Sequence, residues 1–199
     1  IDFPNNPVAL NMLLKVRCQQ LIFSQDRDES LKYPDLDQWK REKWDNSIRT
    51  EVKDIYHRIT KCSPDEHSFL YAEFLYELYY PKKESEVNYN KLMQICEKRN
   101  KIKPDSEMYL WASRFIMKID GPKAAAKYLD TYKNNSFLKN CPEFYSYIAW
   151  YYYNSSNWKL AKRYLTKFCS FPASKPRIND FKKYFEIIEE NIIQGKNIS

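Results

Sequence analysis

Ala161-Lys162-Arg163-Tyr164-Leu165-Thr166-Lys167-Phe168 is the last of four related octets in this chain. The others are Val52-Lys53-Asp54-Ile55-Tyr56-His57-Arg58-Ile59, Tyr89-Asn90-Lys91-Leu92-Met93-Gln94-Ile95-Cys96 and Ala125-Ala126-Lys127-Tyr128-Leu129-Asp130-Thr131-Tyr132. Their starts are separated by 37, 36 and 36 residues. A period of that length points to stacked pairs of helices, because one pair alone leaves an apolar face that only its neighbour covers.

Punctuation between the octets fits this reading. Gly occurs only at Gly121 and Gly195, too few for the positive-φ turns of a many-stranded sheet. Most of the ten Pro fall between apolar-periodic segments, where a helix stops without being broken. The expected helices run over about 8–23, 35–61, 65–80, 84–100, 105–119, 122–134, 142–154, 157–170 and 178–193. On the first, Ala9, Met12, Leu13, Val16 and Phe23 form the expected buried stripe. On the long second helix, capped by Asp35, the stripe is Trp39, Trp44, Ile48, Val52, Ile55 and Ile59. Short connections predict antiparallel neighbours.

The stretch 142–172 resembles a tetratricopeptide repeat. Tyr145, the pair Ile148-Ala149, Tyr152, Trp158 and Ala161 stand at that family's packing positions, while Phe168 replaces its usual small residue. Ala149 and Ala161 let two backbones approach, and rings fill the grooves beside them. Tyr109, Ala112, Ser113, Ile116 and Ala125 repeat the pattern upstream. Residues 52–58 and Tyr71-Ala72-Glu73-Phe74 are similar to the half-a-TPR repeat of RNA-processing scaffolds. The resemblance implies an all-α, right-handed α-solenoid of antiparallel helical hairpins. A single domain, 1–199, is expected: N-terminal helices over 1–61, hairpins over 62–172, and a capping helix and tail over 173–199. It also implies a non-enzymatic adaptor that holds partners.

The chain carries 33 Lys and Arg against 26 Asp and Glu, a net charge of +7. Signs interleave except between Asn157 and Lys183. There Lys159, Lys162, Arg163, Lys167, Lys175, Arg177, Lys182 and Lys183 face one acid, Asp180. Lys159, Lys162, Arg163 and Lys167 follow an i, i+3, i+4, i+8 spacing that shares a helix face. Such a face either binds an acidic peptide or a phosphate backbone, or is simply the solvated side of the helix. The aromatic run Trp150-Tyr151-Tyr152-Tyr153 either offers stacking platforms for single-stranded RNA or fills space between hairpins. Tyr151 and Tyr153, off the packing positions, are the expected exposed members.

Signals for chemistry are missing. His57 and His67 stand apart with no Cys/His ligand spacing, so no metal site is expected. No Gly-rich phosphate loop or nucleophile motif is present, so neither cofactor nor catalysis is expected. Glu73 and Glu77, at i, i+4, read as surface charges. Cys18, Cys62, Cys96, Cys141 and Cys169 are odd in number and widely spaced, which predicts an intracellular reducing compartment, cytoplasm or nucleus. No run is apolar enough to span a membrane. The start at Ile1 fits a processed form or a piece of a longer protein. The expected partner is a protein within a hetero-complex, its helix or extended peptide lying in an aromatic groove. RNA bound by the basic C-terminal quarter is the alternative.

Overall fold

A computed structural model describes the backbone of residues 6–25, 38–62, 64–81, 83–172 and 178–195. Side chains of 22–25, 38–44, 84 and 178–180 are outside the description. Among the described residues every regular element is helical, and neighbouring helices pack on one another within each of two units. They group into two compact units that divide after Lys103.

The first unit holds α1 (Pro7–Gln25), α2 (Gln38–Lys61), α3 (Glu66–Tyr79), a 3-10 turn at Glu84–Glu86 and α4 (Tyr89–Ile102). α1 packs on α2 and α3, and α3 on α4. The α2 stripe lies where the sequence puts it: Ile48, Val52, Ile55 and Ile59 are buried. Trp39, Trp44 and the Asp35 cap lie outside the described side chains and residues.

The stripe expected on α1 is displaced. Leu10, Leu14, Cys18 and Leu21 are fully buried, whereas Met12 is 68% and Val16 50% exposed. Both faces of this helix are apolar, so periodicity alone did not choose between them. The buried row i, i+4, i+8, i+11 is free of polar interruption, while the expected row runs into Gln20. The adjoining Asn11 amide enters the core edge and donates to the Ser68 carbonyl at 3.1 Å.

Polar side chains fix the ends and crossings of α3. Asp65 caps it by accepting from the Ser68 amide at 3.0 Å, and the Ser68 hydroxyl adds a second bond at 2.6 Å. At the other end the buried Arg49 donates to the Tyr80 carbonyl while pairing with Asp45 at 2.7 Å. Glu73 and Glu77 are not free surface charges. Both reach Lys91 Nζ, at 3.0 and 2.6 Å, and so tie α3 to α4 beside the stacked rings of Tyr56 and Tyr76.

The second unit holds α5 (Ser106–Asp120), α6 (Pro122–Thr131), α7 (Ser136–Lys139), α8 (Pro142–Asn154), α9 (Trp158–Cys169) and α10 (Ile178–Ile193). α5 packs on α6, α6 on α8, α8 on α9 and α9 on α10. Gly121, at φ 85°, makes the α5–α6 turn in a conformation that disfavours a Cβ, and Pro122 opens α6. The single turn α7, too short to show a helical period in the sequence, is capped by Asn135 and buries Leu138. α8 ends in a Schellman turn. Asn157 N donates to the Tyr152 carbonyl at 2.9 Å, Ser156 N to that of Tyr153 at 3.1 Å, and Ser156 sits at φ 58°. Asn157 then caps α9. Tyr145, Ile148, Ala149, Ala161 and Phe168 are all buried, as their spacing requires. Phe168 meets Phe181 of α10 with ring centroids 5.1 Å apart, so the unusual large residue is what receives the last helix.

Candidate functional site

The small side chains that let α8 and α9 approach also leave space beside α10. Ala149, Ala161 and Leu165 wall a pocket of about 100 Å³, closed by Ser146, Phe181 and Ile188 and rimmed by Trp150, Tyr153 and Tyr184. Trp150 and Tyr184 are 46% and 43% exposed, large apolar surface that the fold leaves in water. Tyr153 is held edge-on between Trp158 and Tyr184, at 5.3 and 5.5 Å. Two edge-on contacts hold this half-buried ring at the rim.

The other flank of α8 faces α5. There the exposed Arg114 guanidinium lies 4.5 Å from the Trp111 ring and 4.8 Å from the Tyr147 ring. A guanidinium between two π faces is attracted to both and loses much of its rotamer freedom. Trp150, one turn beyond Tyr147 on α8, lines the pocket. A fixed positive charge, an exposed indole and an apolar hole thus lie side by side across one helix.

Two readings made from the sequence need correction. Tyr151 is not exposed: its ring is fully buried, and burial pushes its hydroxyl pKa up. Phe144, Ile148 and Tyr151 form an i, i+4, i+7 row, all at 0% exposure, that directs Tyr151 inward against α5. Its hydroxyl lies 3.1 Å from Ser113 Oγ, whose own proton goes to the Leu110 carbonyl at 2.7 Å. Tyr151 therefore donates, and Ser113 accepts.

The second correction concerns the basic face of α9. Lys159, Arg163 and Lys167 are exposed and Lys162 is partly so, but they do not form one unopposed patch. At about 100° per residue, Lys162 and Lys167 are about 140° apart around the helix. Lys162 turns to Glu189 of α10 and pairs with it at 2.8 Å. Lys167 lies 5.6 Å from the Phe171 ring. Burial pushes the Asp130 carboxyl up, but a 2.5 Å bond from Tyr164 and one from Lys133, with the charges of Lys133 and Arg163, outweigh it. That carboxyl therefore stays below its ordinary range as an anion facing α9. The acids that oppose the basic run come from outside the window 157–183, which is why the run looked unbalanced. Lys175 and Arg177 lie outside the described residues.

Sequence reasoning missed Arg114, Trp111 and Tyr184. The i, i+3 pair Trp111–Arg114 was visible, but only the packing of α8 on α5 adds Tyr147 to it, and only the return of α10 brings Tyr184 to Tyr153. Elsewhere, Arg99 in α4 is 5% exposed and donates to His67 Nε2 at 3.0 Å over the Tyr71 ring, a tie between α3 and α4. His57 is exposed and shares no cluster with His67. Among the described residues no group of three or more His, Cys, Asp or Glu is placed to hold a metal ion, and no helix is long and apolar enough to cross a membrane. All five cysteines are free thiols. Comparison with protein-family models, with curated proteins and with solved structures finds no match.

Proposed function

We propose that this chain is a non-enzymatic scaffold or adaptor that holds a protein partner within a multiprotein complex, in a reducing intracellular compartment. Its packed helices are read as a right-handed stack of antiparallel hairpins of the tetratricopeptide and half-a-TPR kind. The observation that carries the reading is the exposed aromatic rim of Trp150 and Tyr184 around an apolar pocket. Aromatic anchors beside a preformed pocket supply contact area at small ordering cost, which is how interface hot spots are built. The test is affinity capture from native extract at moderate salt, with and without nuclease, using the wild-type chain and Trp150→Ala in parallel. Stoichiometric protein partners that survive nuclease and are lost from the variant support the reading; partners unaffected by the variant contradict it.

RNA binding is the second reading, kept because Lys159, Arg163 and Lys167 are exposed. The ion pair at Lys162 and the anion at Asp130 weaken it. Loss of partners on nuclease treatment, with a steep salt dependence of binding, would favour it.

A further inference from the structure

We propose that the contact between Arg99 and His67 is an acid-sensitive latch: neutral His67 ties the start of α3 to the end of α4, and protonation of its imidazole releases the tie. The latch lies within the first unit and does not depend on the partner-binding reading.

The direction of the hydrogen bond fixes the protonation state. A guanidinium has only donors and keeps its proton throughout the ordinary pH range. Arg99 Nη2 stands 3.0 Å from His67 Nε2, so that ring nitrogen accepts. An imidazole with an accepting Nε2 is neutral and carries its single proton on Nδ1. A proton added at Nε2 removes the acceptor and sets two cations in contact. Arg99 has little room to yield. It is 5% exposed, its guanidinium carbon lies 4.6 Å from the Tyr71 ring centroid, and its buried Nε has no hydrogen-bond partner. Among the described residues no carboxylate pairs with it. A buried cation beside a π face and a neutral ring strongly opposes a second positive charge.

The surroundings mostly act in the same direction. His67 is the second residue of α3, where the amides of the helix N-terminus already present positive charge. α2 ends in Arg58 and Lys61, both exposed. α1 meets this end of α3 through the uncharged Asn11, on the Ser68 carbonyl. Asp65 and Glu66 oppose, and the imidazole's charge does act on Asp65. Both carboxylates are exposed, so water and salt screen them, whereas the Arg99 contact is direct. The folded chain therefore favours neutral His67 and binds the proton less readily than the unfolded chain, whose value is about 6.5. Stability contributed by the latch is complete above that value and is lost as pH falls below it through the folded one. The far end of the same helix pair is held by Lys91 on Glu73 and Glu77, a tie without a histidine. Protonation of His67 thus acts at one end of the pair.

The test is an NMR titration of the intact chain labelled on histidine with nitrogen and carbon isotopes, with His57→Gln assigning the two signals. At about pH 8 His67 should carry its proton on Nδ1, and its titration midpoint should lie below the ordinary value of about 6.5. Urea unfolding at about pH 7.5 and 5.5 gives a second readout. It compares wild type with His67→Gln, whose side-chain oxygen can accept from Arg99 but does not titrate. The wild-type unfolding midpoint should fall more between those two conditions than that of the variant. A proton on Nε2, a titration midpoint at or above the ordinary value, or an equal fall in both proteins overturns the latch.

Discussion

The Tyr151–Ser113 contact separates a core tyrosine from a binding tyrosine, and its donor direction makes the energetics asymmetric. Ser113→Ala leaves the Tyr151 hydroxyl buried with a proton and no acceptor, because the ring is fully buried and Ser113 Oγ is its hydrogen-bond partner. An orphaned buried donor costs about 1–3 kcal/mol. Tyr151→Phe removes that donor and leaves Ser113 still donating to Leu110, so only the net bond is lost, about 1 kcal/mol. In the double variant no polar atom of the pair remains, and its cost should fall below the sum of the singles by about 0.5–1.5 kcal/mol, as expected for residues in contact. Urea unfolding of the three variants and wild type, followed by tyrosine and tryptophan fluorescence, gives the cycle. Ser113→Ala should be the costlier single substitution. Equal and additive single effects, or Tyr151→Phe costing more than Ser113→Ala, would refute the donor assignment. No effect from any of the three would place Tyr151 at the surface after all.

Ser156 occupies positive φ without being glycine, so Ser156→Gly should raise stability by about 1 kcal/mol in the same assay. Lys91→Met leaves Glu73 and Glu77 facing each other; with Lys91 40% exposed and screened by solvent, about 1 kcal/mol is expected at neutral pH. Asp65 is held below its ordinary range, chiefly by the Ser68 hydroxyl and then by the Ser68 amide. Its folded value being depressed, its contribution is present above the unfolded value near 3.9 and is lost as pH falls through the folded one. Asp65→Ala should therefore cost about 1 kcal/mol at pH 7 and progressively less on acidification. Lys162→Ala, which breaks only an exposed pair with Glu189, should change stability by less than about 0.5 kcal/mol.

How much was legible in the sequence depends on the range of the interaction concerned. Local signals carried far: Pro142, Asn157 and Ile178 open helices where the punctuation places them, and the small residues Ala149 and Ala161 are buried at the α8–α9 crossing. α1 failed for a local reason too, since Leu10-Leu14-Cys18-Leu21 and Ala9-Met12-Val16 are both apolar rows and only the neighbours α2 and α3 select between them. Tyr151 lies off the repeat's packing positions, which is why the repeat pattern alone places it at the surface. The row Phe144, Ile148, Tyr151 shows its inward direction, but Ser113, the partner that makes a buried hydroxyl tolerable, lies 38 residues away. The candidate site was the least legible part. Its cation comes from α5, its crest from α8 and its far wall from α10, and no window of sequence contains all three. The charge run at 157–183 misled in the complementary way, because Asp130 and Glu189 answer it from outside.

The most direct measurement places a photo-crosslinking amino acid at position 150 in one chain and at position 159 in another, with irradiation in native extract. The scaffold account predicts stoichiometric protein adducts from position 150 and few adducts from position 159. RNA adducts from position 159, with none to protein from position 150, would contradict it.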